Sequence, residues 1–171
     1  MYSKPKQRGA VAIEFAAIFM LFFALVYGAI AFGLPAVARL AFQHYSVEAA
    51  RAAVQVDPTP FDAERPETFA LVSSQVNSVI SASWIPEDWR DGCADLDGTD
   101  GWSTLPDTVY GYWRPEPNPL PNTTPRYQVN VCIQTNAPIV PQLALGELRF
   151  PPYVDGDTGK SWVRGYTITT L

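Results

Sequence analysis

Residues 10–34 read AVAIEFAAIFMLFFALVYGAIAFGL, an apolar run in which Glu14 is the single charged side chain. The next charged residue is Arg39, so 24 consecutive residues between these two positions carry no charge. About 20 residues of α-helix, at a rise of about 1.5 Å per residue, cross the hydrocarbon core of a bilayer. The run therefore predicts a transmembrane helix over residues 10–34.

The charges on either side of this run predict its orientation. Residues 1–9 hold three basic side chains and no acidic one, whereas the remaining residues hold nine basic and seventeen acidic side chains. Basic residues are retained on the cytoplasmic side, so we expect the N-terminus in the cytoplasm and the rest beyond the membrane. No second basic cluster is present, which argues against nucleic acid as a partner.

Glu14 is costly within an apolar helix, where an ionised carboxylate is usually paired or functional. If a peptidase cuts between Gly9 and Ala10, the mature chain begins with a free ammonium and Glu14 is its fifth residue. The carboxylate of one subunit can then pair with the terminal ammonium of a neighbour. Because desolvation offsets much of the attraction, such a pair sets the register of assembly more than its affinity.

The sequence from Gly9 through Ala10 to Glu14 and Phe15 resembles the prepilin-peptidase site of type IV pilins. Together with AFG at 31–33 and EAARAA at 48–53, it resembles the TadE-like minor pilins of Tad (tight-adherence, Flp-type) pili. The resemblance covers residues 6–56. Three departures from the family pattern are Ala31 in place of an acidic residue, Pro35 within the helix, and the sequence EAAR at 48–51.

This resemblance implies a structural subunit without catalysis or cofactor, acting in pilus biogenesis and surface adhesion. A prepilin peptidase would remove the leader over residues 1–9 by cutting between Gly9 and Ala10. Assembly would then proceed through Glu14 and Phe15 in contact with inner-membrane lipid, other pilin subunits and Tad pilus assembly proteins. The domain that follows the helix, over residues 57–171, would lie in the periplasm or on the extracellular pilus.

Two other interpretations of the N-terminus stay open. The apolar run is also that of an uncut signal anchor, with Glu14 near the cytoplasmic interface. It also contains a small-x-small signal-peptidase pattern at residues 29–31, which would release the chain after Ala31. Glu14 at the head of the run disfavours this second alternative.

The remainder predicts an α+β fold of pilin-like layout. Residues 35–56 favour a juxtamembrane helix that Pro35 should kink, and residues 57–171 an extracytoplasmic domain. Within that domain, residues 66–82 predict a second amphipathic helix. Three strands of a small antiparallel sheet are predicted at 108–113, 127–134 and 162–169.

Cys93 and Cys132 lie in the part predicted to be external. An even number of cysteines in an oxidising compartment predicts a disulfide, with two unrelated buried thiols as the alternative. His44 is the only histidine, and two cysteines with one histidine do not make a zinc site. We therefore expect no metal and interpret His44 as a solvated helix residue.

Two glycine-rich segments resemble ligand loops only in part. The sequence DLDGTDG at 95–101 departs from an EF-hand, because the sixth and twelfth positions hold Asp100 and Pro106. Two interpretations of this segment stay open, an irregular calcium site and a solvated turn. Residues 154–161 end like a phosphate loop, but Val154 stands at the first glycine of that pattern, so we predict a hairpin turn.

The external part is rich in aromatic residues, most of which we expect in a core. An exposed subset would instead favour a membrane-tethered adhesin that binds glycans or a partner subunit. A membrane-anchored enzyme is the least favoured alternative, because the sequence shows no nucleophile motif and a single histidine.

Overall fold

A computed structural model describes residues 8–56, 66–117, 126–141, 143–145, 148–150 and 163–171. Two helices come first: α1 spans Arg8–Val54 and α2 spans Pro66–Ser81. Short 3-10 turns at Glu87–Trp89 and Ala94–Leu96 follow. The strands are β1 (Ser103–Thr104), β2 (Gly111–Pro115), β3 (Tyr127–Gln134), β4 (Leu143–Leu145), β5 (Leu148–Phe150) and β6 (Arg164–Thr170).

Some sequence predictions fall outside these residues. They are residues 1–7 of the basic leader predicted at 1–9, the end of the juxtamembrane helix at 57–60, the turn at 154–161 and the start of the third strand at Trp162.

The two halves of α1 have different surroundings. The helix has 47 residues and a length of about 70 Å. Every side chain from residue 11 to residue 26 is exposed, whereas the second half packs against α2 and the sheet. The buried residues of that half are Ala38, Phe42, Ser46, Ala49, Ala50 and Ala53. These positions share one face of the helix, and their mostly small side chains let the helix backbone approach its neighbours closely.

Pro35 lies inside α1 and does not end it. The segments predicted separately at 10–34 and 35–56 therefore form one uninterrupted helix. A proline inside a helix removes one backbone hydrogen bond, so a bend at this point stays a prediction.

The main sheet has the strand order β1-β2-β3-β6, and all of its neighbouring strands are antiparallel. β3 has the predicted bounds and lies at the centre. Its residues Val129, Val131 and Ile133 belong to the core formed with α1 and α2, whereas Cys132 belongs to a second buried cluster. β4 and β5 form a separate two-stranded sheet. Polar residues of β3 such as Asn130 are buried too, because both faces of this strand are covered.

β2 begins three residues later than the predicted strand at 108–113. The Thr108 hydroxyl donates to Asn77 Oδ1 at 2.7 Å and accepts the N–H of Tyr110 at 3.2 Å. Asp107 adopts a left-handed backbone conformation, with φ of 54°. The segment 107–110 is therefore held as a turn against α2, and pairing with β3 starts at Gly111.

α2 presents a buried apolar face to α1 and the sheet. Val72, Val76 and Ile80 are fully buried along it. Near its start, the Phe69 ring packs on Trp113, with ring centroids 4.6 Å apart. At its end, Arg90 Nη1 donates to the carbonyl oxygen of Ile80 at 2.8 Å, which satisfies one of the terminal carbonyls of the helix.

β6 is joined to α1 by side-chain hydrogen bonds to its backbone. Gln43 Nε2 donates to the Tyr166 carbonyl oxygen at 3.1 Å, and Gln43 Oε1 accepts the Tyr166 N–H at 3.3 Å. A Cβ added at Gly165 would overlap the backbone of Phe42 and Gln43. The lack of a side chain at Gly165 therefore allows α1 to lie directly on β6.

Gly165→Ala is expected to lower the free energy of unfolding by about 1–3 kcal/mol, since the added methyl group forces the helix away from the strand. Chemical denaturation of the full chain in detergent micelles measures this effect. The matched control is Gly33→Ala on α1, where nothing lies within 4 Å of an added Cβ. Equal stability of both variants would contradict the close approach.

The long N-terminal helix, the second helix and the small antiparallel sheet confirm the predicted α+β, pilin-like fold. Its organisation places an exposed apolar helix at one end and the folded domain along the other half of the same helix.

Candidate assembly helix and membrane anchor

The exposed half of α1 presents a contiguous apolar surface in the part of the chain that the structure describes. Its large exposed side chains are Val11, Ile13, Phe15, Ile18, Phe19, Met20, Leu21, Phe22, Phe23, Leu25 and Val26. A soluble domain rarely exposes a contiguous apolar surface of this extent. Among the described residues, α1 is the one helix long and apolar enough to cross a membrane.

Glu14 lies near the start of this surface and is itself exposed. Within the described residues its carboxylate has no hydrogen-bond or ion-pair partner. Glu48, the other carboxylate of α1, contrasts with it because its Oε1 accepts from Arg51 Nη1 at 2.8 Å. The helix thus carries one internally paired carboxylate beside the domain and one without an internal partner in the apolar half.

Phe15 begins a row of aromatic rings on one face of the apolar half. The rings of Phe15 and Phe19 have centroids 6.1 Å apart, and those of Phe19 and Phe23 are 6.2 Å apart. Gly9 and Ala10 lie in the first turn of α1, which begins at Arg8. The predicted processing and assembly residues therefore belong to one continuous helix.

In the second half of α1, two large apolar side chains lie outside the buried face. Val37 and Leu40 are exposed, and the buried face passes through Ala38 and Phe42 instead. His44 is exposed and packs its ring against Tyr45, with centroids 5.3 Å apart. One helical turn further on, Glu48 pairs with Arg51.

Cys93 and Cys132 lie at disulfide distance, with their Cα atoms 5.8 Å apart. This is the geometry that the predicted disulfide requires. Both residues are fully buried, in a cluster with Trp102 and Tyr112. The pair therefore joins the segment before β1 to the central strand of the sheet.

Arg164 of β6 lies against this cysteine pair. Its Nε donates to Cys132 Sγ at 3.1 Å, and its Nη1 donates to Asp95 Oδ2 at 2.9 Å. Only 15% of the Arg164 side chain is exposed. The ion pair is thus partly shielded from water and holds the 94–97 turn over the sheet.

Carboxylates of the acidic turn at 95–101 have protein partners. Asp95 pairs with Arg164, and Asp97 Oδ1 accepts the N–H of Thr104 at 3.2 Å. No group of three potential metal ligands is present among the described residues. Two of the three carboxylates of this turn thus have protein partners.

The pKa of the Tyr112 phenol is raised, chiefly by burial and further by the nearby Asp95 carboxylate. In the folded state the phenol keeps its proton at a pH where the unfolded chain, with a pKa of about 10, loses it. We therefore expect the free energy of unfolding to fall as the pH rises from about 9 to about 11. Denaturant unfolding across this range measures the slope, and Tyr112→Phe should flatten it. A slope unchanged in this variant would contradict the assignment.

Most of the described tryptophans and tyrosines of the domain are covered. Trp102 and Tyr112 are buried, and Trp89 and Trp113 pack partly against the core. Trp84 is the exposed tryptophan of the described part, with 60% of its surface accessible. Tyr166 of β6 is exposed as well, with 56% of its surface accessible.

A polar groove of about 690 Å³ runs between α2 and the segments that follow it. Its lining residues are Ala70, Ser73, Ser74, Asn77, Ser78, Ser81, Glu87, Arg90, Asp107 and Tyr110. Several of these groups bond to one another: Asn77 Nδ2 donates to the Asp107 carbonyl oxygen at 2.8 Å, and Tyr110 Oη donates to the Arg90 carbonyl oxygen at 3.3 Å. His44 does not line the groove, so no serine, histidine and acid converge in it.

Sequence reasoning missed two positions that organise this anchor. Tyr27 Oη donates to the carbonyl oxygen of Pro141 at 2.8 Å, and Gly165 admits the helix backbone. Tyr27 carried a detectable signal, because it is the only polar side chain besides Glu14 in residues 10–34. Gly165 carried no such signal in the sequence, since its role depends on the backbone of Phe42 and Gln43, which are distant in sequence.

No curated protein and no solved structure shows a significant match to this chain. The family described as TadE-like protein matches residues 9–51. That segment contains Gly9, Glu14, Phe15, the whole exposed apolar surface and most of the helix face that packs on the domain. The resemblance predicted from the sequence is thereby confirmed: over residues 9–51 the chain is similar to the TadE-like family.

Proposed function

We propose that the chain is a minor pilin or pilin-like structural subunit of a Tad-type pilus. A prepilin peptidase cuts it between Gly9 and Ala10, and α1 then anchors it in the inner membrane and inserts it into the assembly. The N-terminus is cytoplasmic, and the domain lies in the periplasm or on the extracellular pilus. Its role is in pilus biogenesis and surface adhesion.

The observation that carries this proposal is the single carboxylate without an internal partner in the exposed half of α1. Glu14 stands five residues after Gly9 on an otherwise apolar helix surface. An unpaired charge at such a site is costly. A neighbouring subunit that brings the ammonium of its own Ala10 removes this cost and fixes the axial register of the two helices.

The packing of the domain supports the same role. It covers one face of the second half of α1 and leaves residues 11–26 free on all sides. A subunit of this shape can enter a helical bundle through its N-terminal half while its domain stays outside. The cysteine pair and the Arg164–Asp95 ion pair hold that domain together.

Surface filaments sheared from cells test the proposal. The chain should be recovered in the filament fraction when the prepilin peptidase is active and remain in the membrane fraction when the peptidase is inactivated. A tethered adhesin would stay in the membrane fraction in both strains, and that result would contradict a filament subunit.

A further inference from the structure

We propose that the segment 137–141 of the domain contacts the lipid of the outer leaflet, as a second membrane contact beside α1. The inference rests on the membrane insertion of α1 proposed above. It concerns a different part of the chain, the loop that leaves β3, and gives the domain a defined face toward the bilayer.

The contact between Tyr27 and Pro141 sets the height of this loop along α1. The Tyr27 hydroxyl donates to the Pro141 carbonyl oxygen at 2.8 Å. One helical turn further on, Ala31 is only 1% exposed, whereas all side chains from residue 11 to residue 26 are exposed. The domain therefore meets the helix at Tyr27, inside the apolar run.

The helix in front of this contact is too short to cross a bilayer alone. The rise from Ala10 to Tyr27 is about 25 Å and that from Glu14 is about 20 Å, against a hydrocarbon core of about 30 Å. With Glu14 near the cytoplasmic interface, the last part of the core lies at the level of Tyr27 and the next turns. The loop occupies one side of the helix at that level.

The chemistry of the loop suits this depth. Residues 137–145 carry no charged side chain. Pro138 and Pro141 are exposed, while Ile139 and Val140 are buried and fix the loop to the core. Because a proline has no N–H, its exposure to lipid leaves no backbone donor to be desolvated.

Apolar residues of α1 continue this surface around the helix. Ile30, Phe32 and Leu34 are exposed by 51%, 62% and 43%. On the other side of the loop, Asp91 marks the start of the polar region, since its Oδ2 accepts the Asn136 N–H at 3.0 Å. Tyr27 itself is of the residue type enriched at membrane interfaces. The apolar surface of the spanning helix thus extends directly onto the loop, and this continuity identifies lipid as its occupant.

Lipid-bound quenchers test the contact in the full chain. Single cysteines are introduced by Pro138→Cys, Pro141→Cys, Leu25→Cys or Gln55→Cys, and a fluorophore is attached without reductant so that Cys93 and Cys132 stay paired. Each variant is reconstituted at high dilution into vesicles of phosphatidylethanolamine and phosphatidylglycerol that carry nitroxides on their acyl chains. Leu25 is the reference within the span. Gln55 is the matched exposed site about 45 Å further along the helix axis.

We expect the labels at positions 138 and 141 to lose emission to an extent comparable with position 25, and the label at position 55 to be unaffected. Quenching at position 25 without quenching at 138 or 141 would overturn the lipid contact and leave the spanning helix intact. Quenching at all four positions would overturn it as well, since the whole domain would then lie on the membrane. No quenching at position 25 would contradict the spanning helix itself, and with it the proposed function.

Discussion

Glu14→Ala should remove the chain from filaments while leaving it stable in the membrane. In the proposed assembly the carboxylate neutralises the ammonium of a neighbouring Ala10, and its loss leaves that charge unpaired in an apolar environment. We expect filament incorporation to fall on the order of a hundredfold. The amount in the membrane should not fall, because an apolar helix inserts more readily without a carboxylate.

The chain contains its own control for this experiment. Glu48→Ala removes a carboxylate of the same helix that is paired with Arg51 at 2.8 Å and lies outside the apolar half. This variant should assemble like the parent. Normal incorporation of Glu14→Ala, measured by immunodetection in sheared filaments, would rule out Glu14 as the assembly group.

Replacing both Cys93 and Cys132 by alanine is expected to have the largest effect on the stability of the domain. The two residues are separated by 39 positions, and closing a loop of that length stabilises a folded chain by about 4 kcal/mol in the chain-entropy model. Alanine avoids leaving an unsatisfied hydroxyl group in this fully buried site. Thermal unfolding of the full chain in detergent micelles measures the loss.

Reduction of the parent protein provides the matched comparison, because it breaks the bond without changing the residues. The reduced parent and the double variant should show similar melting temperatures, both well below that of the oxidised parent. Alkylation of two free thiols in the unreduced protein, or unchanged melting after reduction, would contradict the disulfide.

The helix and the central strand could be predicted because their signals are local. An uncharged run that is long enough to cross a bilayer as a helix predicts the first half of α1. The alternation of apolar and polar residues predicts β3 with its observed bounds. Thr108 illustrates the limit of such patterns. Its side chain bonds to Asn77 of α2, and this contact between distant residues turns part of a predicted strand into a turn.

The face of α1 that packs on the domain could not be deduced from hydrophobicity alone. Ala49, Ala50 and Ala53 are buried while the larger Val37 and Leu40 are exposed. A helix that packs closely on a sheet needs small side chains at the contact. Gly165 on β6 is part of this contact, which becomes apparent only when α1 and β6 are seen packed together. Tyr27 likewise shows its role only when Pro141, distant in sequence, lies beside it.

The mass of the mature protein purified from cells with an active prepilin peptidase tests the central claim most directly. The account predicts a chain that begins at Ala10, which presents the ammonium that Glu14 of another subunit requires. A chain that still begins at Met1, or one that begins at Phe32 after cleavage behind Ala31, would contradict processing and assembly through this helix.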